Sequence, residues 1–439
     1  MREDIRGMIA GIDEPVELED GKKRPAINFD NASTTPALLP VMKAVNDSLL
    51  MYGSVGRGFS QKSDYTTEAF EKCRRSILRF LNADVNEYCC VFVNNTTDGI
   101  NKLASALITD RDDVVLLTRM EHHSNDLPWR ERCRVLYAEV DSLGRIRYDE
   151  IERLLKNNSV RFVSVSAASN VTGYVTDVHR IAGIAHRYGA KIIVDGAQIA
   201  AHRPFSMLGK TEEENIDFFV FSAHKMYAPF GGGAVVALKD ELELYMPRVF
   251  GGGSVTIVSD KSQYYEKPPR SYEAGSPNFA GAVALAKSIG ILSEIGMDLV
   301  QEHDLLLNRR LIDGLLRLGL KVYGDTDNIE DRVSVVTFND PGTNSFLLAQ
   351  KLMRIGGIAT RRGAFCAHPY VWRLLGVPDS DVLDYKKCAD AKTPGMIRVS
   401  FGIYNTEEEV DELLRVLPIA IRMAKDEQQR NPAETPSGF

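Results

Sequence analysis

Apolar positions recur along the chain in two rhythms, and their alternation predicts the architecture. Short runs of branched and aromatic residues at 89–93, 114–117, 135–140, 162–167, 191–195 and 218–222 read as buried strands. Helical spacing fills most of the gaps between them, notably at 178–188. This alternation predicts an α/β domain with a largely parallel sheet covered on both faces, and ligands at the carboxyl ends of its strands. Upstream, 40–51 and 66–82 read as helices, the second with Phe70, Ile77, Phe80 and Leu81 near helical spacing, and residues 1–27 read as an arm or short helix. Beyond about residue 280 the texture changes. Helices at 280–295, 298–318, 346–355 and 406–425 surround strands at 320–323, 333–338 and 396–400, which reads as a smaller α+β domain. The expected division is a large domain at 28–279, a small one formed by 1–27 with 280–425, and a polar, proline-containing disordered tail at 426–439.

Bulk composition narrows the class. A chain of 439 residues is too long for one simple core. Its 44% apolar and 26% charged content is ordinary for a globular protein. The net charge of −7 argues against a nucleic-acid-binding surface. The first residues lack the pattern of a secretory signal, and no apolar run reaches the ~18 residues that span a bilayer, so a cytoplasmic location is expected. The six cysteines show no CxxC spacing and no zinc-finger pairing with histidine, which speaks against a structural zinc site. Five of the six are expected to be reduced and buried.

Candidate chemistry gathers at the predicted strand ends. The strand at 218–222 delivers Ser222, His224 and Lys225, then the run Gly231-Gly232-Gly233. An uncharged lysine amine forms Schiff bases with carbonyls, Ser222 and His224 could hold an anion such as a phosphate, and the glycines allow close approach to a flat ligand or another chain. Asp195 ends the 191–195 strand, with Gln198 just beyond. Ser169 and Asn170 follow the 162–167 strand, and Glu121, His122 and His123 follow the one at 114–117. A carboxylate, an amide, an imidazole and an amine thus converge on one rim. After the 89–93 strand, Asn94 to Gly99 opens a helix, readable either as an anion site at free N–H groups or as an ordinary cap. Arg57, between two glycines at 52–60, could also serve an anionic ligand.

These residues sit in motifs that resemble the class V aminotransferases, pyridoxal-phosphate (PLP) enzymes of fold type I, and within them the SufS-type cysteine desulfurases and selenocysteine lyases. The motifs are FDNASTTP, NNTTDGIN, MEHHSNDLPW, SNVTG, VDGAQ, FSAHKMYAPFGGG, FGGGSV, YEAGSPN, RRGAFCAHP and RVSFGIYNTEEEVD, spread from about residue 29 to 411. The resemblance implies a large domain with a mainly parallel seven-stranded sheet plus the smaller α+β domain. It implies that Lys225 carries PLP as a Schiff base, that Asp195 pairs with the ring nitrogen, and that His122 stacks on the ring and joins in proton transfer. Gln198 and Asn170 would bond the ring oxygen or position the substrate. Thr97, Asp98, Ser222 and His224 would hold the phosphate, and Ser276 would reach the phosphate of a neighbouring subunit, making the active unit a homodimer. Arg398 would bind the substrate carboxylate, with Arg361 beside it.

Cys366 stands where the resembling desulfurases carry a loop cysteine that takes sulfur from L-cysteine as a persulfide and leaves L-alanine. That thiol should be exposed near positive charge, and Arg361, Arg362 and His368 are near in sequence. A sulfur-acceptor protein could then receive the sulfur. The chain departs from the pattern at Gly56 and Phe365, where histidine is common, and in the longer segment 377–394. The alternatives are another PLP activity that does not use Cys366 as carrier (selenocysteine lyase, C–S lyase, epimerase or aminotransferase) and a non-catalytic subunit of the same fold.

Overall fold

The computed structural model describes residues 5–56, 58–381, 385 and 393–430. Its centre is a seven-stranded sheet, whose strands we number in chain order: β1 Tyr88–Val93, β2 Val114–Thr118, β3 Arg134–Ala138, β4 Val160–Ser166, β5 Lys191–Asp195, β6 Phe218–Ser222 and β7 Gly233–Leu238. The order across the sheet is β1-β7-β6-β5-β4-β2-β3, parallel throughout except that β7 runs antiparallel to both neighbours. Fully buried strands of this kind need apolar residues on both faces, which is why they read as continuous apolar runs. Register sets the rim: Ser166 pairs with Asp195, Asp195 with Val220, and Ser222 with Gly233.

The β7 strand was not expected. The glycine run is expected to allow close approach to a flat ligand or another chain, but Gly233 is the first residue of β7, and a Cβ there would stand 2.7 Å from the Phe221 carbonyl oxygen and 3.0 Å from Asn95 Cα of its own chain. Helix Thr96–Leu107 lies across β6 and β7, and Gly99 makes that contact possible. A Cβ there would stand 2.5 Å from Val220 Cγ1 and 3.0 Å from Val235 Cγ2. Gly99→Ala is therefore expected to destabilise the fold by about 1–3 kcal/mol. Urea denaturation checks this, as a lower midpoint at unchanged slope.

A second core forms around a four-stranded antiparallel sheet, β8 Lys321–Tyr323, β9 Val335–Asn339, β10 Arg361–Gly363 and β11 Met396–Ser400, in the order β8-β9-β11-β10. Helices Met297–Arg317, Ser345–Gly356 and Glu407–Arg430 supply Leu311, Leu352 and Leu417 to it. Ile27 and Phe29 join the same core, and Ile27–Asn28 pairs with Ile358–Ala359. In the N-terminal stretch, expected to be an arm or short helix, Ile5 and Arg6 are helical, and a hairpin follows that was not expected, Pro15–Glu17 with Lys23–Pro25. The last helix runs to Arg430, into the stretch expected to be a disordered tail. Among the described residues no helix is long and apolar enough to cross a membrane.

Candidate active site

At the carboxyl rim of β4, β5 and β6 opens a cavity of about 270 Å³. It brings together Thr97, His122, Asn170, Asp195, Gln198, Ser222, His224, Lys225, Arg361, Cys366 and Arg398. Asp98 and Ser276 lie outside it. The Asp98 carboxylate accepts from the Asn94 N–H at 2.9 Å and pairs with Lys102 at 3.2 Å, and its own N–H donates to the capping Asn95 side chain. Ser276 is exposed on a separate cavity lined also by Tyr52, Arg74 and Glu273. Arg57 and Cys388 fall outside the described residues.

Two strand-end residues form the floor. Asp195 is buried and accepts from the Ala197 N–H at 2.9 Å; burial moves its carboxyl above the usual carboxylate range, and the nearby Lys225 cation opposes that. Burial pushes the Lys225 ammonium down to about 8, and Arg398 adds to the effect while Asp195 resists it. An amine with that pKa is about one tenth uncharged at pH 7 and about half uncharged at pH 8, and the uncharged form is the state a carbonyl requires. His122 receives the Ser124 N–H on Nδ1 at 3.1 Å, and burial, with Lys225 beside it, lowers its pKa to about 3. The ring is thus neutral, with its proton on Nε2.

Beneath His122 lies a network that sequence reasoning missed. Buried Glu121 accepts from Thr118 Oγ1 at 2.5 Å, Asn125 Nδ2 at 2.7 Å and Ser166 Oγ at 2.6 Å. Burial raises its carboxyl to about 7 despite these donors. The helix-opening donors are also arranged differently from expectation. Thr96 bonds Ser222 Oγ through both its N–H and its hydroxyl at 2.7 Å, while the Thr97 hydroxyl meets Ser124 Oγ at 2.7 Å. Thr96 and Ser124 therefore share this rim with Thr97, Ser222 and His224. A neighbouring pair of threonines and a serine two residues past His122 were the only sequence signals for them.

On the opposite wall Arg398 is buried. Its Nη1 donates to the Asn170 carbonyl at 3.0 Å, and its Nη2 holds both Asp30 Oδ1 at 3.1 Å and Ser33 Oγ at 2.8 Å. Its Nε makes no hydrogen bond, and the Phe365 ring covers the guanidinium at 4.9 Å. Arg361 reaches the other Asp30 oxygen at 3.7 Å. Gln198 Nε2 donates to the Ala32 carbonyl at 3.0 Å, so the FDNASTTP segment forms this wall.

Cys366 is exposed at the cavity mouth. Its charge neighbours are Lys225 and Arg398 as well as Arg361. Arg362 lies over the Phe346 ring and is not among the residues lining the cavity, and burial lowers the His368 pKa, which favours its neutral form. Cys73, Cys89 and Cys90 are buried, with burial holding the first two thiols near pKa 12. Cys133, expected to be buried, is only half-buried because it sits just before the edge strand β3.

Residues 27–413 match the family described as aminotransferase class-V, and the chain belongs to that family. It is 32% identical over 415 residues to a probable cysteine desulfurase of Halalkalibacterium halodurans, covering 92% of this chain and 95% of the relative. It is likewise 32% identical over 419 residues to a cysteine desulfurase of Haloferax volcanii, covering 93% and 92%. Among solved structures, the apo cysteine desulfurase of Thermococcus onnurineus superimposes with a TM-score of 0.83 at 29% identity, over 96% of this chain and 98% of that one. An S-sulfonic acid form of a cysteine desulfurase from Escherichia coli follows at 0.77 and 26%, over 97% and 99%.

Proposed function

We propose that the protein is a PLP-dependent cysteine desulfurase that converts L-cysteine to L-alanine and takes the sulfur on Cys366 as a persulfide. The observation that carries this reading is the placement of an amine of lowered pKa, Lys225, and an exposed thiol, Cys366, on one cavity. The donor set suits the cofactor: a buried carboxylate at Asp195 for a ring nitrogen, the neutral imidazole of His122 for a ring face, and hydroxyls of Thr96, Thr97 and Ser222 with His224 for a phosphate. Asn170 and Gln198 would face the ring oxygen or the substrate. PLP, when bound, supplies an electron sink that acidifies the substrate α-carbon.

The protein's own groups would do the rest. Arg398 and Arg361 would orient the substrate carboxylate, and Lys225 Nζ would hold the cofactor and then take the α-proton. The Cys366 thiolate would attack the substrate sulfur. The S–S bond forms as the Cβ–S bond breaks, and the electron pair left on the carbon fragment is protonated to give alanine. In balance, one L-cysteine and the Cys366 thiol yield one L-alanine and one persulfide, the sulfur being oxidised and the carbon reduced. An exposed persulfide could pass to the thiol of an acceptor protein. Mass analysis of unreduced protein after L-cysteine tests the assignment. One added sulfur on the Cys366 peptide with stoichiometric alanine supports it, and pyruvate with ammonia in place of alanine overturns it.

Two further expectations belong to this reading. Ser276, exposed and outside its own chain's cavity, would reach the phosphate site of a second copy, so the active unit would be a homodimer. Arg398→Lys keeps the charge but loses the fork that grips a carboxylate, and KM for L-cysteine is expected to rise about 10-fold or more with a smaller change in kcat. Steady-state kinetics check it.

A further inference from the structure

We infer that His123 is a positioning residue for the loop that carries Cys366, acting with His368 as a clamp between that loop and the sheet rim. The inference rests on the reading of Cys366 as sulfur carrier. Phe365 and Cys366 have φ values of 51° and 54°, consecutive left-handed conformations that side chains other than glycine seldom adopt. A backbone bent in this way persists only where its surroundings hold it.

The surroundings are specific. Within the loop, the Ala367 N–H donates to the Ala364 carbonyl at 2.8 Å. From the rim, Asn170 Nδ2 donates to the Phe365 carbonyl at 2.7 Å, and the His123 N–H donates to the Cys366 carbonyl at 2.7 Å. In return, the His368 N–H donates to His123 Nε2 at 3.2 Å, with His368 Nδ1 3.1 Å from the same nitrogen. The two imidazoles stack, with centroids 4.8 Å apart and planes at 13°, and Trp372 backs His368 at 5.0 Å.

Nε2 is the acceptor in this arrangement, so the His123 proton resides on Nδ1 and the ring is neutral. Burial, and the neighbouring His368, favour that neutral form. His123 therefore grips the loop at two points, by its backbone at Cys366 and by its ring at His368. It also directly follows His122, so one short turn fixes the cavity imidazole and the loop thiol together. Attack on the substrate sulfur depends on that fixed placement, since a misplacement of ~1 Å can cost about 100-fold in rate.

The test compares His123→Leu with His123→Gln, whose side-chain oxygen can replace Nε2 as acceptor. In His123→Leu, amide hydrogen exchange across 364–368 is expected to quicken about 10-fold, as loss of one partly buried hydrogen bond implies. Single-turnover persulfide formation on Cys366 is expected to fall about 10- to 100-fold. Exchange of the α-proton of L-alanine with deuterated solvent, which needs no thiol, should stay at the wild-type rate, and His123→Gln should restore both lost properties. If His123→Leu does not fold, His368→Ala carries the same expectations. Unchanged amide exchange overturns the clamp. So does α-proton exchange that falls in step with persulfide formation, which would place His123 in the cofactor site. Failure of the underlying reading is seen separately, as wild-type alanine release by Cys366→Ser, while amide exchange still judges the clamp.

Discussion

Cys366→Ser is expected to lower alanine release from L-cysteine by about 10³-fold or more while PLP binding stays at the wild-type level. The substitution exchanges one atom at an exposed position, so the fold is not disturbed. It removes the only described thiol on the cavity that holds Lys225. A serine hydroxyl remains protonated at neutral pH and has little affinity for sulfur, so the Cβ–S bond would lose its acceptor. The Lys225 side of the site would be intact, and α-proton exchange on L-alanine should persist. Paired assays of alanine release and visible absorption check this. Retention of alanine release would remove Cys366 from the mechanism and favour another PLP activity on the same site.

Much of this site was legible because its residues sit at strand ends. Strands at 191–195 and 218–222 were bounded correctly, and Asp195, Ser222 and Lys225 follow from them by position alone. The sheet was less legible at β7, a short continuous apolar run that begins at the last of three glycines, residues that by themselves favour a turn. What sequence could not give were partners far apart in the chain. Asp30 and Arg398 are separated by 368 residues, Asn170 and the Phe365 carbonyl by 195, and His123 and His368 by 245. The resemblance implies that Arg398 binds a substrate carboxylate, and the fold adds that its Nη2 already holds Asp30 and Ser33. A substrate carboxylate using the Nε–Nη2 edge must displace one of them. The charge around Cys366 shows the same limit: Arg361 is near in sequence and lines the cavity, but Lys225, just beyond β6, and Arg398, on β11, come to the thiol only through the fold.

Lys225→Ala should abolish both desulfuration and covalent capture of PLP, a loss of about 10³-fold or more in turnover. The phosphate contacts would still admit the cofactor, but the visible band of a lysine adduct should be missing, and reduction with borohydride should fix no label at this position. The wild-type protein adds a sharper check through pH. Burial holds Lys225 near pKa 8, well below an exposed lysine, and only the uncharged amine attacks an aldehyde. The rate of adduct formation should therefore rise with pH up to about 8 and level off above it, since lowering the pKa increases the fraction of free amine at any pH below the ordinary lysine value. Asp195→Asn removes the carboxylate that favours the charged amine, so the midpoint should move lower still. A midpoint near that of an exposed lysine would show that the buried environment of Lys225 does not activate it. A midpoint that ignores Asp195 would break the coupling on which the floor of the site depends.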